Sequence, residues 1–247
     1  MKKLLTLLTI LLLSCTKIPV ENTGNDDIPV HSSKKGFKIF FIGDSMSSDD
    51  YGNISMNGES QQKSFGWYLK QKHLTDSTYE FRNYAVSGVG ITQMQNQMTS
   101  IISEKDTNKV NIVCILGAVN NISFNGMTGT QCFQQISAIH STLRNNGFKT
   151  IGISLTSRRQ LAYFTEQQSQ YFWTQIVEAN TLFENNSFCD KYLNLQQDTL
   201  RQVQNEWVGF GSYEAATESK YFLDGCHFSL QGKQVIADYL ENIIKSF

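Results

Sequence analysis

Phe37-Lys38-Ile39-Phe40-Phe41-Ile42 runs without interruption into Gly43-Asp44-Ser45. A short, almost wholly apolar run ended by a glycine reads as a strand covered on both faces that stops at a sharp turn. Comparable segments recur at 79–85, 110–116 and 149–155, with a weaker one at 187–195. Of these, Asn111-Ile112-Val113-Cys114-Ile115-Leu116 is nearly continuous in its apolarity, as expected of an interior parallel strand. Helical spacing fills the gaps. Phe133, Ile136, Ile139 and Leu143 form one apolar face, and Phe172, Ile176, Ala179 and Phe183 another. Val235, Ile236, Tyr239, Leu240, Ile243 and Ile244 give the last helix its stripe, with Ser229 as its N-cap. Alternating strands and helices imply an α/β fold with a central parallel sheet and helices on both faces.

In such sheets ligands sit beyond the carboxyl ends of the strands. Ser45 follows the first strand, Gly88 the second and Asn120 the third, while Asp224 and His227 precede the last helix. All five are expected at one edge of the sheet. A serine at a strand tip, with Asp-x-x-His far downstream, supplies a nucleophile, a base and a group that orients the base. The three-residue offset lets the carboxylate accept from Nδ1–H of the imidazole while Nε2 faces the serine.

Four blocks in residues 43–229 resemble those of the GDSL/SGNH hydrolases, a flavodoxin-like, three-layer α/β/α family of esterases and lipases. The first is Gly43-Asp44-Ser45-Met46-Ser47, which makes Ser45 the nucleophile by resemblance. It lacks the second glycine of Gly-x-Ser-x-Gly, which disfavours an α/β-hydrolase elbow. The second, Asn83-Tyr84-Ala85-Val86-Ser87-Gly88, implies an oxyanion-hole N–H from Gly88, since a residue without Cβ lets the main chain approach closely. Gly90 is a rival for that role. The third block departs from the usual Gly-x-Asn-Asp. Leu116-Gly117-Ala118-Val119-Asn120-Asn121 aligns Ala118 with a family glycine, Asn120 with the oxyanion-hole asparagine and Asn121 with the usual aspartate. The fourth, Asp224-Gly225-Cys226-His227-Phe228-Ser229, is the most specific, and places Asp224 and His227 in the triad. The oxyanion hole implied by the resemblance is the Ser45 N–H, the Gly88 N–H and the Asn120 side chain.

Other residues receive no catalytic role. His31, His73 and His140 have no acidic partner at suitable spacing. Cys226 beside the base is disfavoured as a nucleophile, and Cys114 reads as a buried free thiol. Cys114, Cys132, Cys189 and Cys226 match no disulfide framework, though an exported protein permits one. No Cys-x-x-Cys or His-Glu-x-x-His occurs, so no metal is expected, and the chemistry requires no cofactor. Arg158-Arg159 reads as a solvated charge pair, with anion binding as the alternative. The stretch from Trp207 to Phe222 is long enough to wall a substrate cleft with its aromatics, or to pack Phe222 into the core.

Ahead of the domain at 37–247, residues 1–15 read as a targeting segment. Lys2 and Lys3 precede an apolar run, Leu4–Leu13, too short to span a bilayer. Leu12-Leu13-Ser14-Cys15 resembles a bacterial lipobox, implying lipidation at Cys15 and anchorage in the cell envelope. Cleavage by the ordinary signal peptidase is the alternative. Residues 16–36, polar and holding Pro19 and Pro29, read as a flexible tether. A net charge of −1 without a basic block argues against nucleic acid as a partner. The resemblance implies an extracytoplasmic serine esterase acting on acetyl or short acyl esters, including those on carbohydrate. A lysophospholipase of the same fold and a tethered, non-catalytic glycan-binding module are the alternatives.

Overall fold

The computed structural model describes residues 36–49 and 63–247, all within one unit, Lys34–Phe247. The targeting segment, Cys15, His31 and nearly all of the tether lie outside the described residues. In chain order the elements are β1 (Phe37–Gly43), α1 (Phe65–Tyr68), β2 (Tyr79–Asn83), α2 (Ile91–Ser103), β3 (Val110–Leu116), α3 (Val119–Asn125) and α4 (Gly129–Asn145). There follow β4 (Lys149–Ile153), α5 (Glu166–Asn185), β5 (Lys191–Leu193), β6 (Arg201–Val203), β7 (Glu206–Val208), α6 (Ala215–Glu218) and α7 (Leu230–Ile244).

Strands β1 to β5 form one sheet in the order β2-β1-β3-β4-β5, and every pairing in it is parallel. This is the doubly wound order whose switch point falls between β1 and β3, where successive connections leave in opposite directions and open a crevice. The layers divide accordingly: α1 packs with α7, while α4 packs with both α2 and α5. The α/β, flavodoxin-like expectation is met.

Burial explains the strand sequences. β1 and β3 are each buried from their second residue onward, as interior strands with helices on both faces must be. Ile136, Ile139 and Leu143 of α4 and Ile176, Ala179 and Phe183 of α5 enter the same core. Ser229 caps α7 as expected, its side chain accepting from the Gly232 N–H at 3.1 Å.

The weak segment at 187–195 is corrected: only Lys191–Leu193 pairs as a strand. The Asp190 carboxylate takes the Thr150 N–H at 2.9 Å, occupying a ladder position, and Phe188 turns inward against Phe183. Of the 207–222 aromatics, Phe222 follows the core alternative, and Phe210 and Tyr221 are corrected to it as well. Phe210, Tyr221 and Phe222 are buried together with Phe228, with ring centroids 4.9–5.9 Å from Phe210, so they build core rather than wall a cleft. Only Trp207, on the β6–β7 hairpin, stays well exposed, at 44%.

Candidate active site

The turn after β1 is clamped from several sides. Ser47 and Ser48 N–H groups both donate to the Asp44 carbonyl at 3.1 Å, and Met46 N–H to Asp44 Oδ1 at 3.0 Å. Ser47 Oγ donates to the Leu116 carbonyl at 3.1 Å, tying the turn to the end of β3. Among the described residues the Ser45 N–H has no partner, and its side chain is half-buried. Burial pushes the Asp44 carboxyl above its usual range, against the Met46 N–H bond and the attraction of His227 and Arg158.

From the other end of the chain, His227 Nε2 reaches Ser45 Oγ at 2.9 Å, and His227 Nδ1 lies 2.8 Å from Asp224 Oδ2. Asp224 Oδ1 accepts from the backbone N–H groups of Cys226 (3.1 Å) and His227 (2.9 Å). Burial alone would raise this carboxyl. The bonds from the His227 ring and from both N–H groups outweigh it and hold the group down at about 2. Asp224 is therefore a fixed anion, which sets the tautomer with the proton on Nδ1 and leaves Nε2 as an acceptor toward Ser45. The glycine between them is required twice over. Gly225 has φ +79, and a Cβ there would lie 2.4 Å from the Arg159 carbonyl oxygen.

The two loops expected at an oxyanion hole are also present. Val86 N–H donates to the Gly43 carbonyl at 3.2 Å, and Ser87 Oγ lies 3.1 Å from Ser48 Oγ, which brings Gly88 against the serine turn. Gly88 has φ +77, but a Cβ there would meet nothing within 4 Å. Its backbone conformation, rather than close approach, demands glycine. Gly90 differs from Gly88 in its hydrogen bonding. Gly90 N–H is already given to Gln93 Oε1 at 3.2 Å, while Gly88 N–H has no partner among the described residues.

Asn120 and Asn121, adjacent in sequence, part company in space. Asn121 is buried, its Oδ1 accepting from the Ile91 N–H at 2.9 Å at the start of α2. Asn120 is only half-buried. Its Nδ2 donates to the Val89 carbonyl at 3.0 Å, and its Oδ1 accepts from Arg158 at 2.9 Å. Ala118 has φ 92, a conformation that costs an alanine roughly 1–2 kcal/mol and a glycine nothing. That agrees with its alignment to a family glycine. A cleft of about 420 Å³ opens here, and both glycines and both asparagines, Gly88, Gly90, Asn120 and Asn121, line it together with Thr92, Gln93, Phe124 and Asn125.

Several expectations need correcting. Arg158 is no solvated charge: it is 6% exposed, with Nε donating to Gln160 Oε1 at 3.0 Å. Arg159 pairs with Glu166 at 3.1 Å. A basic dipeptide after a strand offers no signal of this, because Asn120, the acceptor for Arg158, is 38 residues away, and Gln160 and Glu166 lie in and beyond an irregular loop with no regular spacing to read. His73 likewise finds acids the chain order hid, Asp238 and Glu241 of α7, each at 3.0 Å. Cys226 is buried and its thiol is pushed up to about 12 by desolvation, which leaves no thiolate for attack. Cys114, Cys132, Cys189 and Cys226 are all free thiols, and Cys114 is buried.

No family model and no curated protein matches the sequence. Solved structures do match. One is a member of the lipolytic protein G-D-S-L family from Veillonella parvula, at 12% identity and TM-score 0.58, covering 86% of this chain and 100% of that one. An acetyl xylan esterase matches at 16% identity and TM-score 0.57, covering 84% and 99%. The psychrotrophic esterase EstA from Pseudoalteromonas matches at 14% identity and TM-score 0.54, covering 85% and 97%. Identities this low speak for the fold. The resemblance read from four short blocks is thus met at the level of the whole architecture: the chain has the fold of the GDSL/SGNH hydrolases.

Proposed function

We propose that the protein is a carboxylic ester hydrolase acting through an acyl-enzyme on Ser45. The observation that carries this is the unbroken path from Ser45 Oγ through the His227 ring to Asp224, with contacts of 2.9 and 2.8 Å. Serine is a poor nucleophile at neutral pH until a base takes its proton in the transition state. His227 Nε2 takes that proton as Oγ attacks the ester carbonyl, and Asp224 steadies the imidazolium that forms. The oxyanion is met by the Ser45 N–H, the Gly88 N–H and the second amide hydrogen of Asn120. The imidazolium then protonates the departing alcohol. Water enters, gives a proton to His227 and attacks the acyl carbonyl; the same proton returns to Ser45 as the acid leaves. No step calls for a cofactor.

For the substrate, the reading that fits best is an acetyl or short acyl ester on a carbohydrate. The cleft beside Asn120 is lined by the amides of Gln93 and Asn125 and the Thr92 hydroxyl, with one apolar wall, Phe124, 62% exposed. Amides that can bond hydroxyls, beside an aromatic face, suit a sugar ring; a fatty chain needs apolar walls throughout. Acetate release from acetylated xylan, measured beside fatty-acid release from lysophospholipid, separates the two. Faster turnover of the lysophospholipid would overturn the carbohydrate reading. A fluorophosphonate probe should label Ser45, and a folded protein that neither labels nor cleaves any ester would favour the glycan-binding module instead. The enzyme is further proposed to work in the cell envelope, anchored through a lipid on Cys15. Cys15→Ala should then leave the membrane fraction or remain unprocessed, and unchanged fractionation would sink the anchor.

A further inference from the structure

We infer that Arg158 and Gln160 are positioning residues that join the two halves of the site, holding the Asn120 amide at one end and the Asp224 carboxylate at the other. This rests on the reading of Asn120 as an oxyanion donor. In the sheet β4 lies beside β3, so the loop after β4 emerges next to the start of α3, which follows β3 and carries Asn120. That loop is pinned to the Asp224–His227 turn by the Arg159 N–H, which donates to the Gly225 carbonyl at 2.6 Å. Between the two turns the side chains form a relay. Asn120 Oδ1 accepts from Arg158 at 2.9 Å, and Arg158 Nε donates to Gln160 Oε1 at 3.0 Å. Gln160 Nε2 donates to Asp224 Oδ2 at 3.1 Å, the oxygen that also faces His227 Nδ1.

Two features make this more than packing. First, a guanidinium has only donors, so it can face only the oxygen of the Asn120 amide. The NH₂ group is thereby turned toward Val89 and the cleft, with one hydrogen on the Val89 carbonyl and one left for a ligand. The Val89 carbonyl and Arg158 thus fix the amide from its two ends, and without Arg158 only one of the two restraints on its orientation is left. Second, Arg158 is a costly way to fill space. It is buried between Phe124 and Phe164, 4.6 and 5.2 Å from their ring centroids, and no carboxylate pairs with it among the described residues. An apolar side chain of similar volume would ordinarily be as stable there or more so. The charge instead polarises the Asn120 N–H toward developing negative charge, where a preorganised donor has most effect.

The test is a double-mutant cycle on p-nitrophenyl acetate turnover. Arg158→Met removes every donor at nearly constant volume and should lower kcat by roughly 10–10²-fold, with KM within about twofold. In an Asn120→Ala background the same change should cost less than about threefold, because Arg158 acts through the amide already removed. Arg158→Lys keeps the charge without the fork. It should lose about fivefold alone and under twofold in that background, and it preserves the cycle if the Met variant does not fold. A loss of equal size in both backgrounds would show that Arg158 does not act through the Asn120 amide and would overturn that end of the relay. Wild-type kcat in folded Arg158→Met, beside a large loss in Asn120→Ala, would overturn the relay and leave the oxyanion assignment standing. No loss in Asn120→Ala would remove both.

Discussion

His140 and His227 are both buried, and they show what a partner does for an imidazole. His140 sits in α4 with no exposure, edge-on to Phe188 at 4.8 Å between centroids, and neither ring nitrogen has a partner among the described residues. Desolvation lowers it from its ordinary 6.5 to about 3, so it stays neutral and inert. His227 is buried to a similar degree but lies between a fixed carboxylate and a hydroxyl. One ring is held uncharged by its surroundings, while the other lies against an anion on one side and a hydroxyl on the other. Burial alone does not make a histidine a base; an oriented acceptor on the far nitrogen does.

The largest effect expected from that contrast is on turnover. Ser45→Ala and His227→Ala should each remove nearly all activity, on the order of 10⁴–10⁶ in kcat, and the double variant should be hardly worse than either. His140→Leu should leave kcat/KM within about twofold. Substantial activity in His227→Ala, or a large loss in His140→Leu, would break the comparison.

Next in size is the adjacent pair of asparagines. Asn120→Ala should lower kcat by roughly 10²–10³ with little change in KM. Asn121→Ala, which strips a buried Ile91 N–H of its acceptor, should cost roughly 1–3 kcal/mol of stability, read from urea midpoints. If Asn121→Ala instead shows the larger loss of kcat in a stably folded protein, the register of that block is off by one.

A separate set of effects, on stability and not on turnover, lies in the pH dependence of folding. The folded-state value of His140 is depressed, so the unfolded chain takes up a proton that the native one refuses, and stability falls as pH drops from about 6.5 toward about 3. Asp224, also depressed, contributes stability above the ordinary carboxylate range that is lost as pH falls toward about 2. Urea midpoints of His140→Leu should therefore be flatter than wild type between pH 6 and pH 4, whereas Asp224→Asn should flatten only the limb below pH 4. A His140→Leu slope equal to wild type would show that His140 has a partner after all.

How much of this could be read from the chain follows the range of each interaction. Asp224 and His227 announce themselves because their hydrogen bond and both backbone bonds to Asp224 close within three residues. Ser45 was legible because an apolar strand delivers it, and Gly88 and Asn120 because each follows a strand end. Arg158 was misread as solvated and His73 as lacking an acidic partner, since Asn120, Asp238 and Glu241 meet them only after β4 and α7 are docked. Aromatics between 207 and 222 were equally ambiguous, because a ring that packs in a core and one that lines a cleft look alike in sequence.

The parallel α/β architecture and the gathering of Ser45, Asn120, Asp224 and His227 at one edge of the sheet follow from the amino-acid order alone, because burial period and strand-end placement are local properties of the chain. It takes the folded chain to show that Gly90 gives its N–H to Gln93 while Gly88 has no partner for its own among the described residues, that Asn120 and Asn121 bond to different neighbours, and that buried Arg158 lies between Asn120 and the Asp224 turn. Those outcomes depend on which donors the neighbouring loops have already used, and that is settled only when the ends of β1, β3 and β4 lie side by side.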